Sequence, residues 1–143
     1  MLSKFVLDRA KSFLCWDFLD NLSIQLVEIN DTVAYFYPPQ NRLSSIVVFY
    51  ESGCKDFTHS LYLLFHEVGH YLQYSMYDSN NQLEDYWRII QMDRGEEKVK
   101  FESQAWALGR DALKKFAENT SVISMNLLDE YTDYGHDCIK SYQ

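Results

Sequence analysis

The sequence is poor in several features that mark particular classes of protein. Its three cysteines, Cys15, Cys54 and Cys138, lie far apart and form no Cys-x-x-Cys pair, so no disulfide framework is predicted. No apolar run reaches the ~18 residues that a membrane span requires. Asp8 and Arg9 interrupt the N-terminal apolar run, which is not typical of a signal peptide. We therefore expect a cytoplasmic protein.

Basic residues are also scarce, since 13 Lys and Arg stand against 21 Asp and Glu, for a formal net charge of −8. Nonspecific nucleic-acid binding and docking on anionic membranes both require basic surface. The negative net charge therefore argues against both nucleic acid and anionic membranes as partners. The sequence has no repeat, low-complexity tract or linker, and 47% of it is hydrophobic. That composition supports a core, so we predict a single domain over residues 1–143.

The first third of the chain is predicted to contain one helix and three strands. Apolar residues recur at helical spacing over 2–19. Alternating or β-branched stretches predict strands over 23–29, 32–38 and 44–52. The Asn30-Asp31 pair favours a hairpin between the first two strands, in an antiparallel sheet. Pro38 and Pro39 predict a loop. The third strand is interpreted either as an open sheet edge beside a cleft or as a buried strand.

The rest of the chain is predicted to be helical. The predicted helices span residues 57–76, 82–92, 96–118 and 126–141. Asp56 or Thr58 is the candidate N-cap of the first of them. A helix, three strands and then helices predict an α+β fold, with a small three-stranded antiparallel sheet packed on helices.

The stretch "FHEVGHYLQY" carries the strongest functional signal. On a helix, His66 and His70 lie about 40° apart around the axis, so their imidazoles can converge on one ion. Glu67 lies about 100° from His66 and flanks that ion as a candidate base. His-Glu-x-x-His on a helix is the zinc motif of metallopeptidases. The alternative is that both histidines are hydrogen-bonded members of an ordinary core face.

A catalytic zinc usually takes three protein ligands, so one ligand has to come from another part of the chain. The preferred candidate is Glu102, which is followed at i+3 and i+4 by the apolar Ala105 and Trp106. A carboxylate on such a face is costly unless it has a partner such as a cation. The alternatives that stay open are Glu84, Glu96, Glu97, His59 and His136.

The segments "HEVGH" and "ESQAWALGRDAL" together resemble those of the ImmA/IrrE-type metallopeptidases. That family has His-Glu-x-Gly-His on one helix and Glu-x-x-Ala on a later one. Here Gly69, Glu102 and Ala105 match the pattern. Trp106 stands one place before the usual aromatic, and the lead-in to the first histidine is several residues longer. The resemblance covers about residues 56–112 and is only architectural in the first fifty.

The resemblance implies a zincin-like fold of the gluzincin type, with an active-site helix that carries HExxH. It implies Zn²⁺ held by His66, His70 and Glu102, with Glu67 as general base. Family members are often bacterial or carried by mobile elements, and some cleave a regulatory protein. Many also have a helix-turn-helix segment for DNA, which this sequence does not show.

The expected activity is therefore hydrolysis of peptide bonds in a specific protein substrate. The oxyanion formed in that reaction needs a stabilising side chain. The candidates, which the sequence does not rank, are His59, Tyr62, Tyr134 and His136. Asp78, Asp93 or a backbone carbonyl are the candidates for orienting the metal-ligating histidines. The alternative function is a non-catalytic zinc-binding module, for regulation or interaction, with the same fold.

Overall fold

A computed structural model describes residues 1–143 as an α+β fold with five α-helices and one three-stranded sheet, which confirms the predicted fold class. None of the helices is both long and apolar enough to cross a membrane. The elements in chain order are α1 (Lys4–Ser12), a π-helical extension of it (Phe13–Phe18), β1 (Leu22–Ile29), β2 (Val33–Gln40), β3 (Leu43–Glu51), α2 (Thr58–Ser79), α3 (Leu83–Ile90), α4 (Glu96–Thr120), α5 (Leu127–Ile139) and a 3₁₀ turn (Lys140–Tyr142).

The sheet is mixed, so the prediction of an antiparallel sheet was wrong. Its order is β1-β3-β2, with β3 parallel to β1 and antiparallel to β2. The expected hairpin between β1 and β2 does not form, because β3 lies between them. The tight turn joins β2 to β3 instead, at Asn41 and Arg42, whose φ angles of 53° and 70° suit the primed turns of hairpins.

Strand β3 is therefore central, and β2 is an edge of the sheet. The interpretation of β3 as an open edge beside a cleft was wrong, and its alternative as a buried strand fits Ile46 and Val48, which are fully buried. Pro38 and Pro39 lie within β2 rather than in a loop. An edge strand tolerates proline because one side of it needs no N–H donor. The pairing with β3 is irregular where the two prolines lie, between Tyr37 and Gln40.

One face of the sheet packs against α2. The residues on that face, Ile24, Ala34, Ile46 and Val48, belong to the main hydrophobic core. The N-terminal helix and its extension add Leu7 and Leu14 to the same core, whereas Phe5 is 61% exposed. The side chain of Asp56 accepts hydrogen bonds from the backbone N–H groups of Thr58 and Leu2, so it ties the start of α2 to the N-terminus of the chain.

Helices α2 and α4 cross at very short range. A Cβ atom added at Gly69 would lie 1.8 Å from the carbonyl oxygen of Ala105. One added at Gly109 would lie 2.2 Å from the carbonyl oxygen of Phe65. Residue numbers rise along α2 as they fall along α4, so the two helices run antiparallel. Glycine at both points lets the backbones touch, and this contact places the middle of α4 beside the histidines of α2.

Candidate metal centre

Three buried side chains meet where α2 and α4 cross. His66 and His70 come from α2 and Glu102 from α4, and their exposed fractions are 8%, 4% and 4%. Nε2 of His66 lies 3.9 Å from Oε1 of Glu102, and Nε2 of His70 lies 3.1 Å from Oε2. The potential ligand atoms all lie within 4.8 Å of one another. This group could hold a metal ion.

The spacing of the cluster suits a small divalent cation. Ligand atoms on a tetrahedron with ~2.0–2.1 Å bonds are about 3.4 Å apart, between the two measured separations. One buried polar atom, Nδ1 of His66, has no hydrogen-bond partner, and Oε2 of Glu102 has only Nε2 of His70, 3.1 Å away. A buried carboxylate beside two imidazoles fits a cation, because burial of a carboxylate is costly unless positive charge lies next to it. These three residues therefore fit a bound metal ion.

The electrostatics of the cluster depend on burial and on the two carboxylates. Burial lowers the pKa of His66 to about 3, and the charge of His70 adds to this. Burial alone would also lower the pKa of His70, but its contact with Glu102 and the charge of Glu67 raise it overall. Burial acts to raise the pKa of Glu102, yet His70, His66 and Lys98 outweigh it and lower the value to about 2.

Glu67 stands beside the cluster and does not belong to it. Its side chain is partly exposed and lines the same cavity as the three candidate ligands. Burial raises the pKa of this carboxyl to about 7, and the charge of Glu102 adds to the effect, although His70 opposes it. A cation at the cluster would favour the charged form of Glu67. The carboxylate therefore has the position and the access that a base requires.

Different contacts hold the two histidine rings. The ring of His66 stacks on Trp106, with centroids 4.2 Å apart and an interplanar angle of 14°. Nδ1 of His70 is 3.0 Å from Oε1 of Gln73, a side chain that is fully buried. Asp78 and Asp93, the acids considered for this role, are exposed, and neither is bonded to a histidine.

The cluster opens into a cavity of about 570 Å³. Its walls come from β2, α2, α3, α4, α5 and the C-terminal turn, and most of its lining is apolar or aromatic. The edge strand contributes Tyr35 and Phe36, α3 contributes Trp87, α5 contributes Tyr134 and the C-terminal turn contributes Tyr142. A cleft with apolar walls and a few converging polar groups is the usual form of a ligand site.

A buried cation, Lys98, also lines this cavity. It is 4% exposed, and Nζ donates hydrogen bonds to the carbonyl oxygens of Ile89 and Ile90 at the end of α3. The same atom lies 5.3 Å from the ring centroid of Tyr142. A lysine bound to the last carbonyls of a helix stabilises that end. Lys98 therefore fixes α3 against α4 beside the cluster.

Of the four oxyanion candidates, the structure places Tyr134 alone in the cavity with the cluster. Tyr62 is buried and donates a hydrogen bond from its hydroxyl to Glu130. His59 is exposed and packs on Tyr134, with ring centroids 4.8 Å apart. His136 is exposed and lies at a separate depression between α4 and α5. The other candidates for the third ligand, namely Glu84, Glu96, Glu97, His59 and His136, are all exposed and outside the cluster.

The sequence reasoning missed Gln73, Lys98 and Tyr142. Gln73 carries a usable signal, because it stands three residues after His70 on the same helical face. Lys98 carries a comparable sequence signal, since it lies one helical turn before Glu102. Tyr142 has no such signal, because its place depends on how the C-terminal turn folds back, with the N–H of Gly95 bonded to its carbonyl oxygen.

Comparison of the chain with protein-family models, with curated proteins and with solved structures found no match. The functional argument therefore depends on the motif and on the geometry of the cluster.

Proposed function

We propose that this protein is a zinc-dependent endopeptidase of the ImmA/IrrE type, acting on a specific protein substrate. His66, His70 and Glu102 hold the zinc, and Glu67 is the general base. The observation that carries the proposal is the composition of the cluster, which has three protein ligands with a partly exposed glutamate beside them. Catalytic zinc sites keep three protein ligands, whereas structural sites are closed by four.

The set of two histidines and one glutamate favours zinc over other divalent metals. Two imidazoles with one carboxylate form the ligand set of the catalytic zinc in several metallopeptidases. Calcium and magnesium prefer oxygen ligands alone, so the two nitrogens argue against them. When bound, zinc supplies a Lewis acid that polarises the carbonyl oxygen of the scissile peptide bond.

The residues of the chain then divide the proton transfers between them. Glu67 removes a proton from the attacking water and delivers it to the nitrogen of the leaving amine. Tyr134, which lines the cavity with the cluster, is the candidate to donate a hydrogen bond from its hydroxyl to the oxyanion.

The edge strand β2 offers a site for the substrate. Residues 32–36 line the cavity, and one side of the strand has no neighbour in the sheet. An extended peptide can add to such an edge through backbone hydrogen bonds. We propose that the substrate binds along β2 as a further strand, which requires a flexible or unfolded segment of the target protein.

Glu67→Gln tests the reaction, because it keeps the size of the side chain and removes the base. A peptide library is incubated with zinc-loaded protein, and new termini are identified by mass spectrometry. The parent and the matched control Glu118→Gln, an exposed glutamate of α4, should generate the same termini. Glu67→Gln should still bind zinc and generate none above background. A parent that binds zinc yet cleaves no more than Glu67→Gln would favour the non-catalytic zinc-binding module.

A further inference from the structure

Gln73 connects one metal-ligating histidine to the helix that carries the third ligand. Its Nε2 donates two hydrogen bonds, each 2.8 Å long, to the backbone carbonyl oxygen of Phe101 and to Oε1 of Gln104. Both acceptors belong to α4, one residue before Glu102 and two residues after it. The other end of the amide, Oε1, is 3.0 Å from Nδ1 of His70.

The carbonyl of Phe101 fixes which way the Gln73 amide points. A backbone carbonyl accepts hydrogen bonds and never donates them. Rotating the amide by 180° would bring Oε1 of Gln73 against that carbonyl and leave a fully buried pair of acceptors in contact. Gln104 is exposed and able to turn, but the carbonyl of Phe101 is not. The amide nitrogen therefore faces α4, and the amide oxygen faces His70.

This orientation determines which nitrogen of His70 carries a proton. An amide oxygen accepts a hydrogen bond, so Nδ1 of His70 has to be the donor. Nε2, the other ring nitrogen, points into the cluster and lies 3.1 Å from Oε2 of Glu102. Without a metal that distance suits a proton shared between the two atoms, and a cation at the cluster would take the place of this proton. We infer that Gln73 is a positioning residue, which holds His70 in the Nδ1–H form that ligates a cation through Nε2 and sets its ring angle from α4. This inference rests on the metal site of the proposed function.

The arrangement is specific to one of the two histidines. Nδ1 of His66 is buried and has no hydrogen-bond partner, and the ring is held by its stacking on Trp106. The amide of Gln73 therefore links the ring of His70 to the helix that carries Glu102. Groups that orient a ligating histidine in this way typically contribute 10–100-fold to metal affinity.

The test compares zinc affinity in three variants, measured by competition with a chelator. Gln73→Met keeps the size of the side chain and removes every hydrogen bond, so affinity should fall by about 10–100-fold. Gln73→Glu keeps an acceptor for Nδ1–H but turns its second oxygen towards the carbonyl of Phe101, so affinity should fall by less than in Gln73→Met without reaching that of the parent. Gln104→Met leaves the hydrogen bonds of Gln73 to His70 and to Phe101 intact. Its zinc affinity should therefore stay within about threefold of that of the parent.

A spectroscopic measurement separates positioning from simple packing. In protein labelled with ¹⁵N at histidine, long-range ¹H–¹⁵N correlation reports which ring nitrogen bears the proton. In the zinc-loaded parent, His70 should carry its proton on Nδ1 and bind the metal through Nε2. Gln73→Glu should retain a slowly exchanging Nδ1–H signal, whereas Gln73→Met leaves that proton without an acceptor and should exchange it faster.

Two results would overturn the inference. One is a zinc-loaded parent in which His70 binds the metal through Nδ1 and carries its proton on Nε2. The other is a folded Gln73→Met variant with parental zinc affinity, which would leave the metal site standing and remove the role of Gln73. If the parent binds no zinc, the proposed function and this inference fail together, whereas equal zinc binding by the parent and a folded Gln73→Met removes the inference alone.

Discussion

The cavity has a floor and a rim that are built in different ways. The floor is the crossing of α2 and α4, where Gly69 and Gly109 bring backbone against backbone. The rim consists of β2, α3, α5 and the C-terminal turn, where large side chains such as Tyr35 and Trp87 are about half exposed. The floor holds every candidate ligand and the rim holds none. Backbone contact between the two helices thus supports the candidate metal ligands, and exposed aromatic side chains surround the opening.

This difference has a physical reason. Metal ligands have to be held to within about 0.5 Å of the productive geometry, which packed helices achieve better than loops or edges. Substrate selection works through side chains that can change without moving the backbone. Substitutions in the floor should therefore affect folding and metal binding together, and those at the rim should affect neither.

The largest expected effect is at the closest point of the floor. Gly69→Ala should lower the free energy of unfolding by about 3 kcal/mol or more, because the new methyl group meets the carbonyl oxygen of Ala105. Gly53→Ala is the comparison, since that position has open space and only a positive φ of 77°. It should cost about 1 kcal/mol. Urea denaturation measures both, and equal losses would show that the helices have room to separate.

The next effect concerns the ligand that α4 supplies. Glu102→Ala should weaken zinc binding at least about a hundredfold, or about 2.8 kcal/mol, because it removes one of three ligands. Glu118→Ala, on the exposed side of the same helix, should leave the affinity unchanged. Calorimetric titration with zinc measures both variants. Similar losses in the two would mean that the effect comes from α4 as a whole and not from the carboxylate.

A smaller effect is expected where α2 begins. Asp56→Ala should lower the free energy of unfolding by about 1 kcal/mol, since Asp56 accepts the N–H groups of Thr58 and Leu2. The hydrogen bond from the Thr58 hydroxyl, followed by that of the Leu2 backbone, lowers the pKa of Asp56 to about 2 from its ordinary 3.8.

The sign of the pH dependence follows from that direction. The folded state favours the charged carboxylate, so its contribution is complete above the ordinary pKa and is lost as the pH falls towards about 2. Solvent screening keeps the effect small at this exposed position. Thermal denaturation should therefore show a difference between parent and Asp56→Ala that narrows as the pH falls below about 4. A constant difference would assign the loss to packing.

The smallest effect is expected at the rim. Tyr35→Thr keeps a residue suited to a strand, and it should change the free energy of unfolding by no more than about 0.5 kcal/mol. Zinc affinity should equal that of the parent, while KM for a cleaved peptide should rise because the side chain lines the cavity. A loss of zinc binding in this variant would remove the distinction between floor and rim.

The helices and the cluster followed from local patterns. Histidines at i and i+4 share a helical face wherever that helix lies, and a carboxylate on the apolar face of α4 had to have a partner. Glu102 was therefore predictable, although its partner helix was not. The strand segments were also located to within a few residues, because alternation is a local property.

The order of the strands was not predictable in the same way. Asn30-Asp31 has the composition of a hairpin turn, but the three residues between β1 and β2 cross the end of β3 instead. Which strand takes the centre depends on long-range burial, and Ile46 and Val48 fill that place completely. The prediction of a loop at Pro38 and Pro39 was wrong for the same reason. Only the order of the strands in the sheet makes β2 an edge strand, which tolerates proline.

The most direct test of the account is the metal itself. Purified protein is loaded with one equivalent of zinc, dialysed and examined by metal analysis and X-ray absorption, beside His70→Ala and the matched control His136→Ala. The account predicts one zinc per chain in the parent and in His136→Ala, with two imidazole nitrogens and a carboxylate oxygen at about 2.0–2.2 Å, and no retained zinc in His70→Ala. A parent without stoichiometric zinc, or a His70→Ala variant that retains it, would contradict the account.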